Sequence, residues 1–133
     1  KINNLDNLLL LQPTSPLRTS SDIDKLLRHA LNGKFDSVVS ISPNNIYHSL
    51  NVNNDSIVPI FPDLFTKRRQ DTPQSYEING AMYFATSNFI NKNKALISEK
   101  SSFFIMDKVK SVDIDDMNDW DYAEYLMSKR LKK

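Results

Sequence analysis

The chain has 133 residues with a formal net charge of +1, and 40% of its residues are hydrophobic and 25% charged. This balance is typical of one globular domain and gives no electrostatic reason for nucleic acid as the main partner, because nucleic-acid-binding domains usually carry a clear basic excess. The absence of cysteine excludes disulfides and thiolate metal sites, and no apolar run approaches the roughly 18 residues that a membrane helix needs. The sequence begins at Lys1 without a signal-peptide pattern, so we expect a cytoplasmic protein seen from an internal start.

The first part of the sequence has the pattern of a strand, a helix and a second strand. Leu5–Leu11 is predicted to be a strand, and its four consecutive leucines, Leu8–Leu11, are typical of a strand buried on both faces of a sheet. Apolar residues then recur at helical spacing over Ile23–Leu31, and the β-branched run Ser37–Ile41 predicts a second buried strand. This order predicts a βαβ unit with parallel strands and a right-handed crossover.

Local signals mark both ends of the predicted helix. Ser21, followed three positions later by Asp24, indicates a start of the capping-box kind. Gly33 fits the left-handed residue that commonly ends a helix.

Residues 43–76 interrupt the α/β pattern. Asparagine, proline and serine dominate this stretch, and no helical period runs through it. Ser49–Val52 and Ile57–Ile60 are predicted to pair as a hairpin across Asn53–Asp55. We interpret residues 43–76 as an insertion that lies over the sheet edge or reaches to a partner.

The remainder of the sequence returns to strands and helices. The predicted elements are a strand over Ile78–Ala85, a short helix capped by Thr86 or Ser87, a strand over Phe103–Met106, a short strand over Val112–Ile114 and a last helix that starts at Asp115 or Asp116. The whole chain is therefore predicted to be one α/β domain with a mostly parallel sheet.

Asp113 and Asp115 are the first candidates for chemistry. Alternate residues of a strand share a face, and their Cα atoms lie roughly 6.5 Å apart, so both carboxylates can share one hard cation. Mg²⁺ prefers such a site, with one or two carboxylates and the phosphates of a substrate. The structural alternative is that Asp113 is solvated and Asp115 only caps the following helix.

Three further segments carry polar or flexible residues at informative places. Gln12 follows the first strand in the turn QPTSP. Its side chain can donate to and accept from sugar hydroxyls or an amide, and the alternative is that the turn is rigid and makes only its own internal hydrogen bonds. Arg69 lies in a basic run that is either solvated or pairs with a carboxylate or phosphate. Asn79-Gly80 indicates either a tight hairpin turn or a glycine at which a ligand approaches the strand backbone.

Three segments in this order resemble the acylneuraminate cytidylyltransferases. They are LLLLQPTSPLR at residues 8–18, RRQDTPQSYEINGAMYF at 68–84 and SVDIDDMNDWDYAE at 111–124. The resemblance implies a Rossmann-like fold of the nucleotide-diphospho-sugar transferase type. It also implies a reaction, in which the anomeric hydroxyl of an acidic nine-carbon sugar attacks the α-phosphate of CTP to give a CMP-sugar and pyrophosphate.

The resemblance assigns roles to individual residues. It implies that Gln12, Asn79 and Tyr83 contact the sugar, and that Asp113 and Asp115 bind Mg²⁺. Arg69 matches a segment that reaches into the site of a neighbouring subunit, which implies a homodimer in which residues 43–76 make contact.

One part of the family pattern is missing from the sequence. The N-terminal loop rich in Gly, Arg and Lys that holds CTP in this family has no counterpart, and the chain has only Gly33 and Gly80. We therefore expect a partial domain, incomplete at its N-terminus, that is inactive and binds CTP poorly by itself. The alternatives are a cytidylyltransferase for another 2-keto-3-deoxy sugar acid, and a non-catalytic module that binds a sugar or mediates dimerisation.

Overall fold

A computed structural model describes residues 6–131 of the chain. Its helices and strands are β1 (Asn7–Leu11), α1 (Ser20–Asn32), β2 (Ser37–Asn44), β3 (Leu50–Asn53), β4 (Ser56–Pro59), α2 (Pro62–Phe65), β5 (Ser75–Thr86), α3 (Ser87–Asn93), β6 (Ser102–Ile105) and α4 (Met117–Leu131). Two short 3₁₀ helices, Arg69–Asp71 and Lys108–Ser111, lie between them. Within residues 6–131, none of the helices is both long enough and apolar enough to cross a membrane.

The main sheet has four strands in the order β1-β5-β2-β6. β1 is antiparallel to β5, and β2 is parallel to β6. Thr86 N donates to Asp36 O at 2.8 Å and Met82 N donates to Ser40 Oγ at 2.8 Å, so β5 also runs opposite to β2. The sheet is therefore mixed rather than mostly parallel, because β5 lies between the two parallel strands of the βαβ unit.

The hydrophobic core lies between α1 and one face of this sheet. Its fully buried members are Leu26, Ala30, Val38, Ala81, Met82, Phe84 and Met106. Leu9, Leu11, Ile23, Leu27 and Phe104 pack against this cluster from β1, α1 and β6. The helical period of the sequence therefore identifies the packed face of α1 correctly except at Leu31, which is 57% exposed.

β1 differs from its prediction in burial. The strand occupies Asn7–Leu11, and Leu5 lies outside the described residues. Leu10 is 39% exposed, so the expected burial on both faces is wrong for this chain. The reason is topological, because β1 is an edge strand of the described sheet.

The capping box of α1 begins two residues earlier than predicted. Thr19 is the N-cap residue, and its side chain accepts from Asp22 N while the Asp22 carboxylate accepts from Thr19 N at 3.0 Å. Asp22, rather than Asp24, takes the third helical position because Thr19 is the N-cap, and its carboxylate also accepts from Lys110 Nζ of a distant segment.

The end of α1 is also different from the prediction. Gly33 has φ −79°, and the left-handed conformation falls on Lys34, with φ 52°. Gly33 is instead needed for space, because an added Cβ would collide with the Phe35 ring and lie 2.9 Å from His29 O.

Residues 43–77 form a compact unit of their own. The predicted hairpin is confirmed within one residue, with Asn53 opposite Ser56 and Asn54 in the left-handed region at φ 50°. An edge-on aromatic pair, Tyr47 with Phe61, packs beside it at 5.4 Å between ring centroids. No residue of this unit is fully buried.

β5 continues through Asn79-Gly80 without a hairpin turn, so Gly80 is a strand glycine with φ 73°. The predicted helix cap at Thr86 is confirmed, because its side chain accepts from Phe89 N.

The predicted strand over Val112–Ile114 is wrong, because this segment has no regular secondary structure. The last helix begins at Met117, where the Asp116 carboxylate accepts from Asn118 N at 2.7 Å and from Asp119 N at 3.1 Å. These two hydrogen bonds lower the pKa of Asp116, the bond from Asp119 N having the larger effect.

Candidate functional site

The turn after β1 is held against β5 by an arginine. Arg18 Nη1 donates to Gln12 O at 3.2 Å and to Ala81 O at 2.6 Å. Ser15 N also donates to Gln12 O, at 3.4 Å. The backbone of Gln12 is therefore fixed, whereas its side-chain amide makes no hydrogen bond within residues 6–131 and is available to a ligand.

Gly80 is the point where three segments distant in sequence meet. A Cβ added to Gly80 would lie 2.5 Å from Gln12 Oε1 and 3.3 Å from Asp113 Oδ2. The turn after β1, the middle of β5 and the segment after Lys108–Ser111 therefore converge here. The hairpin alternative for Asn79-Gly80 is therefore wrong, and the approach of a ligand to the strand backbone at Gly80 stays a prediction.

Asp113 brings a carboxylate with an unsatisfied oxygen to this meeting point. Its Oδ1 is buried and has no hydrogen-bond partner within the described part of the chain. Ile114 N donates to Thr14 O at 2.9 Å, which holds the segment against the turn after β1. Burying a carboxylate oxygen without a donor is costly, so this atom suits a cation or a hydrogen-bond donor supplied by a ligand.

Asp115 is placed differently from Asp113. Its side chain is exposed, and its backbone N donates to Asp119 Oδ2 at 3.0 Å. Because residues 112–114 are not a strand, the argument that the two carboxylates share one face of a strand fails. The alternative role for Asp115 is also wrong, since Asp116 caps α4.

The described residues form no cluster of three or more metal-ligating side chains. A cation at Asp113 would therefore take its remaining ligands from Asp115, water or a substrate. The buried, unpartnered Asp113 oxygen fits this requirement, and Mg²⁺ is commonly held by one or two carboxylates together with phosphates.

Asn79 is buried, and its side chain is engaged inside the protein. Its Oδ1 accepts from Ser40 Oγ at 2.6 Å and from Ala81 N at 3.2 Å, and its Nδ2 donates to Ser111 Oγ at 2.8 Å. These bonds tie β2, β5 and the 3₁₀ turn before Asp113 together. Here Asn79 is placed to hold Ser111, and its predicted contact with sugar stays a prediction.

Tyr83 lies on β5 directly opposite Leu10 of β1 and is half-buried. It is three residues beyond Gly80 on the same strand. Its predicted place in a sugar pocket also stays a prediction.

An ion pair anchors the 3₁₀ turn that precedes Asp113. Lys110 Nζ lies 2.9 Å from Asp22 Oδ1 and 3.1 Å from Oδ2. Burial raises the pKa of Asp22, but hydrogen bonds from Thr19 and from Lys110, together with the charge of Lys110, outweigh burial and lower it overall. Asp22 therefore stays ionised and links the start of α1 to the segment that carries Asp113.

Arg69 lies in the separate unit of residues 43–77. It begins the 3₁₀ helix Arg69–Asp71, its side chain is exposed, and it makes no ion pair within residues 6–131. Its pairing with an acidic ligand stays a prediction.

Sequence reasoning missed the residues that position this site. Arg18, Ser40, Lys110 and Ser111 act on backbone groups or side chains that are far away in sequence. Arg18 and Ser111 had a visible signal, because they end and begin two of the segments that carry the resemblance, at residues 8–18 and 111–124.

A groove of about 320 Å³ lies beside the segment that carries Asp113. It is lined by Pro16, Leu17, Ile114 and residues of α4, including Trp120 and Met127. Its walls are almost wholly apolar, so it differs in character from the polar meeting point at Gly80.

A mixed α/β domain that brings a free amide and a carboxylate to a strand glycine is consistent with a nucleotidyltransferase.

Three known proteins from bacteria are similar over nearly the whole chain. A CMP-N,N′-diacetyllegionaminic acid synthase of Legionella pneumophila is 35% identical over 129 residues, which are 92% of this chain and 54% of that protein. An N-acylneuraminate cytidylyltransferase of Escherichia coli is 30% identical over 130 residues, 94% of this chain and 30% of that protein. A flagellin modification protein B of Campylobacter coli is 27% identical over 128 residues, 94% of this chain and 54% of that protein.

The chain is homologous over most of its length to a CMP-N,N′-diacetyllegionaminic acid synthase and to an N-acylneuraminate cytidylyltransferase. It spans about half the length of the Legionella and Campylobacter relatives that it matches, and less of the Escherichia coli protein. No protein-family model matches the chain.

Proposed function

We propose that this chain is the sugar-acid side of a cytidylyltransferase that acts on a sialic-acid-like nonulosonic acid. In the complete protein the anomeric hydroxyl oxygen of the sugar attacks the α-phosphorus of CTP. A new P–O bond forms, the bond to the pyrophosphate leaving group breaks, and the hydroxyl proton is lost to solvent or a base. The observation that carries the proposal is the convergence of Gln12 and Asp113 at Gly80.

Each residue of this cluster has a distinct part in the proposal. Gln12 offers an unengaged amide, which can both donate to and accept from sugar hydroxyls or an acylamino group. Gly80 leaves room for the Gln12 side chain beside β5, because a Cβ there would lie 2.5 Å from Gln12 Oε1. Tyr83 extends the same strand, while Asn79 holds Ser111 and so positions the segment that carries Asp113.

Asp113, with Asp115 as a second ligand, would hold Mg²⁺ in this proposal. Bound there, the ion would neutralise charge on the phosphates of CTP and on the pyrophosphate that leaves. The buried oxygen of Asp113 without a partner supports this assignment.

The sequence also limits what the 133 residues can do alone. Gly33 lies at the end of α1 and Gly80 lies in β5, so the chain has no glycine-rich loop to cradle phosphates. We expect nucleotide binding to require the remainder of the longer protein. We also propose a cytoplasmic homodimer, in which Arg69 of the unit formed by residues 43–77 reaches the site of a second subunit.

A pyrophosphate-release assay on the full-length protein tests the reaction. It uses CTP with Mg²⁺, and separately N-acetylneuraminic, legionaminic and pseudaminic acids, with EDTA as the control for the metal. We expect release with one of the three acids and none in EDTA. No release with any acid from a folded full-length protein would contradict the proposal and favour another 2-keto-3-deoxy acid or a non-catalytic sugar-binding module.

Asp113→Asn tests the role of the carboxylate. We expect turnover of the full-length protein to fall by at least ~10³-fold, because the variant loses the charge that holds the metal. Folding should survive, because Asp113 Oδ1 has no hydrogen-bond partner in the described chain that the variant could lose.

Asp121→Asn is the matched control for Asp113→Asn, because Asp121 is exposed on α4 and should leave turnover unchanged. A marked loss of stability in Asp113→Asn, measured by urea unfolding, would instead indicate a structural role for Asp113.

A further inference from the structure

A cavity of about 700 Å³ lies beside the end of α1. It is formed by the turn that joins α1 to β2, by α3 and by the turn that precedes β6, all of them in the unit of residues 6–42 and 78–131. Its volume is within the range of about 300–1,000 Å³ that is usual for sites that bind small molecules. The proposed reaction uses none of the residues that line it.

This cavity is remote from Gly80. Thr86 is the last residue of β5, six residues beyond Gly80. Thr86 N donates to Asp36 O at 2.8 Å, and Asp36 lines the cavity. Because a strand rises about 3.3 Å per residue, the cavity is roughly 20 Å from Gly80. One small ligand therefore does not occupy both places.

Three lysine side chains give the cavity an excess of positive charge. Lys34, Lys92 and Lys100 line it, and all three are exposed and make no ion pair within residues 6–131. The carboxylates in the lining are those of Asp36 and Glu99. Lysine ammonium groups bind phosphate as point charges, so the unpaired lysines favour an anionic ligand.

Hydrogen bonds fix the shape of the cavity. Ser37 is 3% exposed, and its Oγ donates to Leu96 O at 2.6 Å and lies 2.8 Å from Ser101 Oγ. Ser98 N donates to the same Ser101 Oγ at 2.8 Å. These bonds hold the turn before β6 against the start of β2, so the cavity is formed without a ligand and binding requires little further ordering.

Two phenylalanine rings add apolar walls to the cavity. Phe35 is 37% exposed and Phe89 is half-buried, and both line it. Aromatic side chains stack on nucleotide bases, as lysines pair with their phosphates. We propose that the cavity is a second ligand site that binds a mononucleotide, with its base against the two rings and its phosphate among the lysines.

The size and charge of the molecule favour a mononucleotide over other anions. Inorganic phosphate would fill only a small part of about 700 Å³ and would leave the rings without a partner. A nucleic acid would need a clear basic excess, whereas the net charge of the chain is +1. The site is separate from Gln12, Gly80 and Asp113, so this inference does not rest on the proposed function.

Calorimetric titration of the full-length protein with AMP tests the site. AMP is a suitable probe because stacking on aromatic side chains is tolerant of the base. Adenosine and inorganic phosphate are titrated separately, since the first lacks the charge and the second lacks the ring. We expect AMP to bind at least ~10-fold more tightly than either of them.

The lysines are tested by the double variant Lys92→Ala with Lys100→Ala. Both side chains are exposed, so the variant should fold. We expect the Kd for AMP to rise at least ~10-fold, because two charged partners of the phosphate are lost. Lys25→Ala is the matched control, because Lys25 is exposed on α1 but does not line the cavity, and it should leave the Kd unchanged.

Phe89→Leu tests the ring, because it keeps an apolar side chain and removes the aromatic face. We expect the Kd for AMP to rise at least ~5-fold, while the Kd for inorganic phosphate stays unchanged. An equal change for both ligands would contradict the stacking of the base on Phe89.

Three results would overturn the inference. They are no binding of AMP, binding of AMP that is unchanged in the double lysine variant, and binding that is lost in Asp113→Asn. The last result would place AMP at the cluster of Gly80 and Asp113 instead. None of these titrations depends on pyrophosphate release, so a protein that binds AMP at the lysines without releasing pyrophosphate would contradict the proposed reaction and keep this site.

Discussion

The two compact units of this chain differ in how they are held together. The unit formed by residues 6–42 and 78–131 has a core in which Leu26, Val38 and Met82 are inaccessible to solvent. The unit formed by residues 43–77 has no fully buried residue, and Val52 and Ile57 are 73% and 58% exposed. The first unit is stabilised by its own core, whereas the second relies on a hairpin and a few aromatic contacts.

This difference separates two kinds of apolar residue. In the first unit apolar side chains fix the strands and turns that bring Gln12, Gly80 and Asp113 together. In the second they lie on the surface of a two-stranded hairpin, an arrangement that is marginally stable by itself in water. Exposed apolar residues at such a place favour a partner surface and support the proposed dimer contact.

The largest expected effect distinguishes the two units by stability. Leu26→Ala should lower the free energy of unfolding by about 3 kcal/mol, because Leu26 is fully buried and the substitution leaves a cavity. Val52→Ala should change it by less than about 0.5 kcal/mol, because that side chain is mostly in solvent. Urea unfolding of both variants measures the difference. Equal losses of unfolding free energy would contradict the conclusion that only the unit of residues 6–42 and 78–131 has a buried core.

The next largest effect concerns the polar cluster of Gln12, Gly80 and Asp113 in the unit of residues 6–42 and 78–131. Gly80→Ala places a Cβ at φ 73°, where non-glycine residues are strained by about 1–2 kcal/mol, and 2.5 Å from Gln12 Oε1. Because the flexible Gln12 side chain gives way most easily, we expect the KM for the sugar acid to rise at least ~10-fold, from lost amide contacts. Steady-state kinetics of the full-length protein checks this.

Gly33→Ala is the matched control for Gly80→Ala. Its Cβ also collides with a side chain, the Phe35 ring, but far along α1 from the Gln12 turn and at an ordinary φ of −79°. The KM for the sugar acid should stay at its original value. A rise in KM for both glycine variants would show that the effect is general destabilisation and not displacement of Gln12.

Sequence patterns were sufficient wherever one element determines its own structure. The helical period of α1, the β-branched run of β2 and the hairpin between β3 and β4 each appear in the structure within one or a few residues. The alternation over Val112–Ile114 failed because three residues are too short to distinguish a strand from an extended segment. The capping box lies at Thr19 and Asp22 rather than at Ser21 and Asp24, and Asp22 also pairs with Lys110, 88 residues away, a contact that no local pattern indicates.

The candidate site shows the same limit more strongly. Gln12 and Asp113 were singled out by residue type and by resemblance, but their meeting at Gly80 depends on strand order and on the bonds made by Arg18 and Asn79. β5 inserts between β1 and β2, and no local pattern predicts that order. Residue types therefore identified the candidates, and tertiary structure decides which of them come together.

A smaller effect is the pH dependence of stability that comes from Asp22, whose ion pair with Lys110 holds the turn before Asp113. The folded pKa of Asp22 is lowered, so its stabilising contribution is present above the unfolded pKa near 4 and is lost as pH falls through the folded value. Asp22→Asn keeps the cap acceptor but loses the ion pair with Lys110. We expect a loss of about 1 kcal/mol at pH 7, since the Lys110 end is 39% exposed and screened.

The difference between the original protein and Asp22→Asn should shrink as the pH is lowered below about 4. Urea unfolding at a series of pH values measures it. Asp24→Asn, on an exposed side chain two residues along the same helix, is the control and should show a smaller difference at pH 7. A loss for Asp22→Asn that is equally large at pH 7 and at pH 3 would mean that the ion pair is not its cause.

A small change in stability is also expected for a double substitution in the hairpin of residues 43–77. Val52 and Ile57 are directly opposite each other on β3 and β4, so Val52→Ser with Ile57→Ser removes one exposed apolar pair. The free energy of unfolding should fall by less than about 1 kcal/mol, since the pair has little burial to lose within one chain.

If residues 43–77 form the proposed dimer contact, however, light scattering of Val52→Ser with Ile57→Ser should show a shift from dimer to monomer. Asn51→Ser, on the alternate face of β3, should leave the dimer intact. A dimer that persists in the double variant would place the subunit contact elsewhere, and the exposed residues of this unit would then need a different partner.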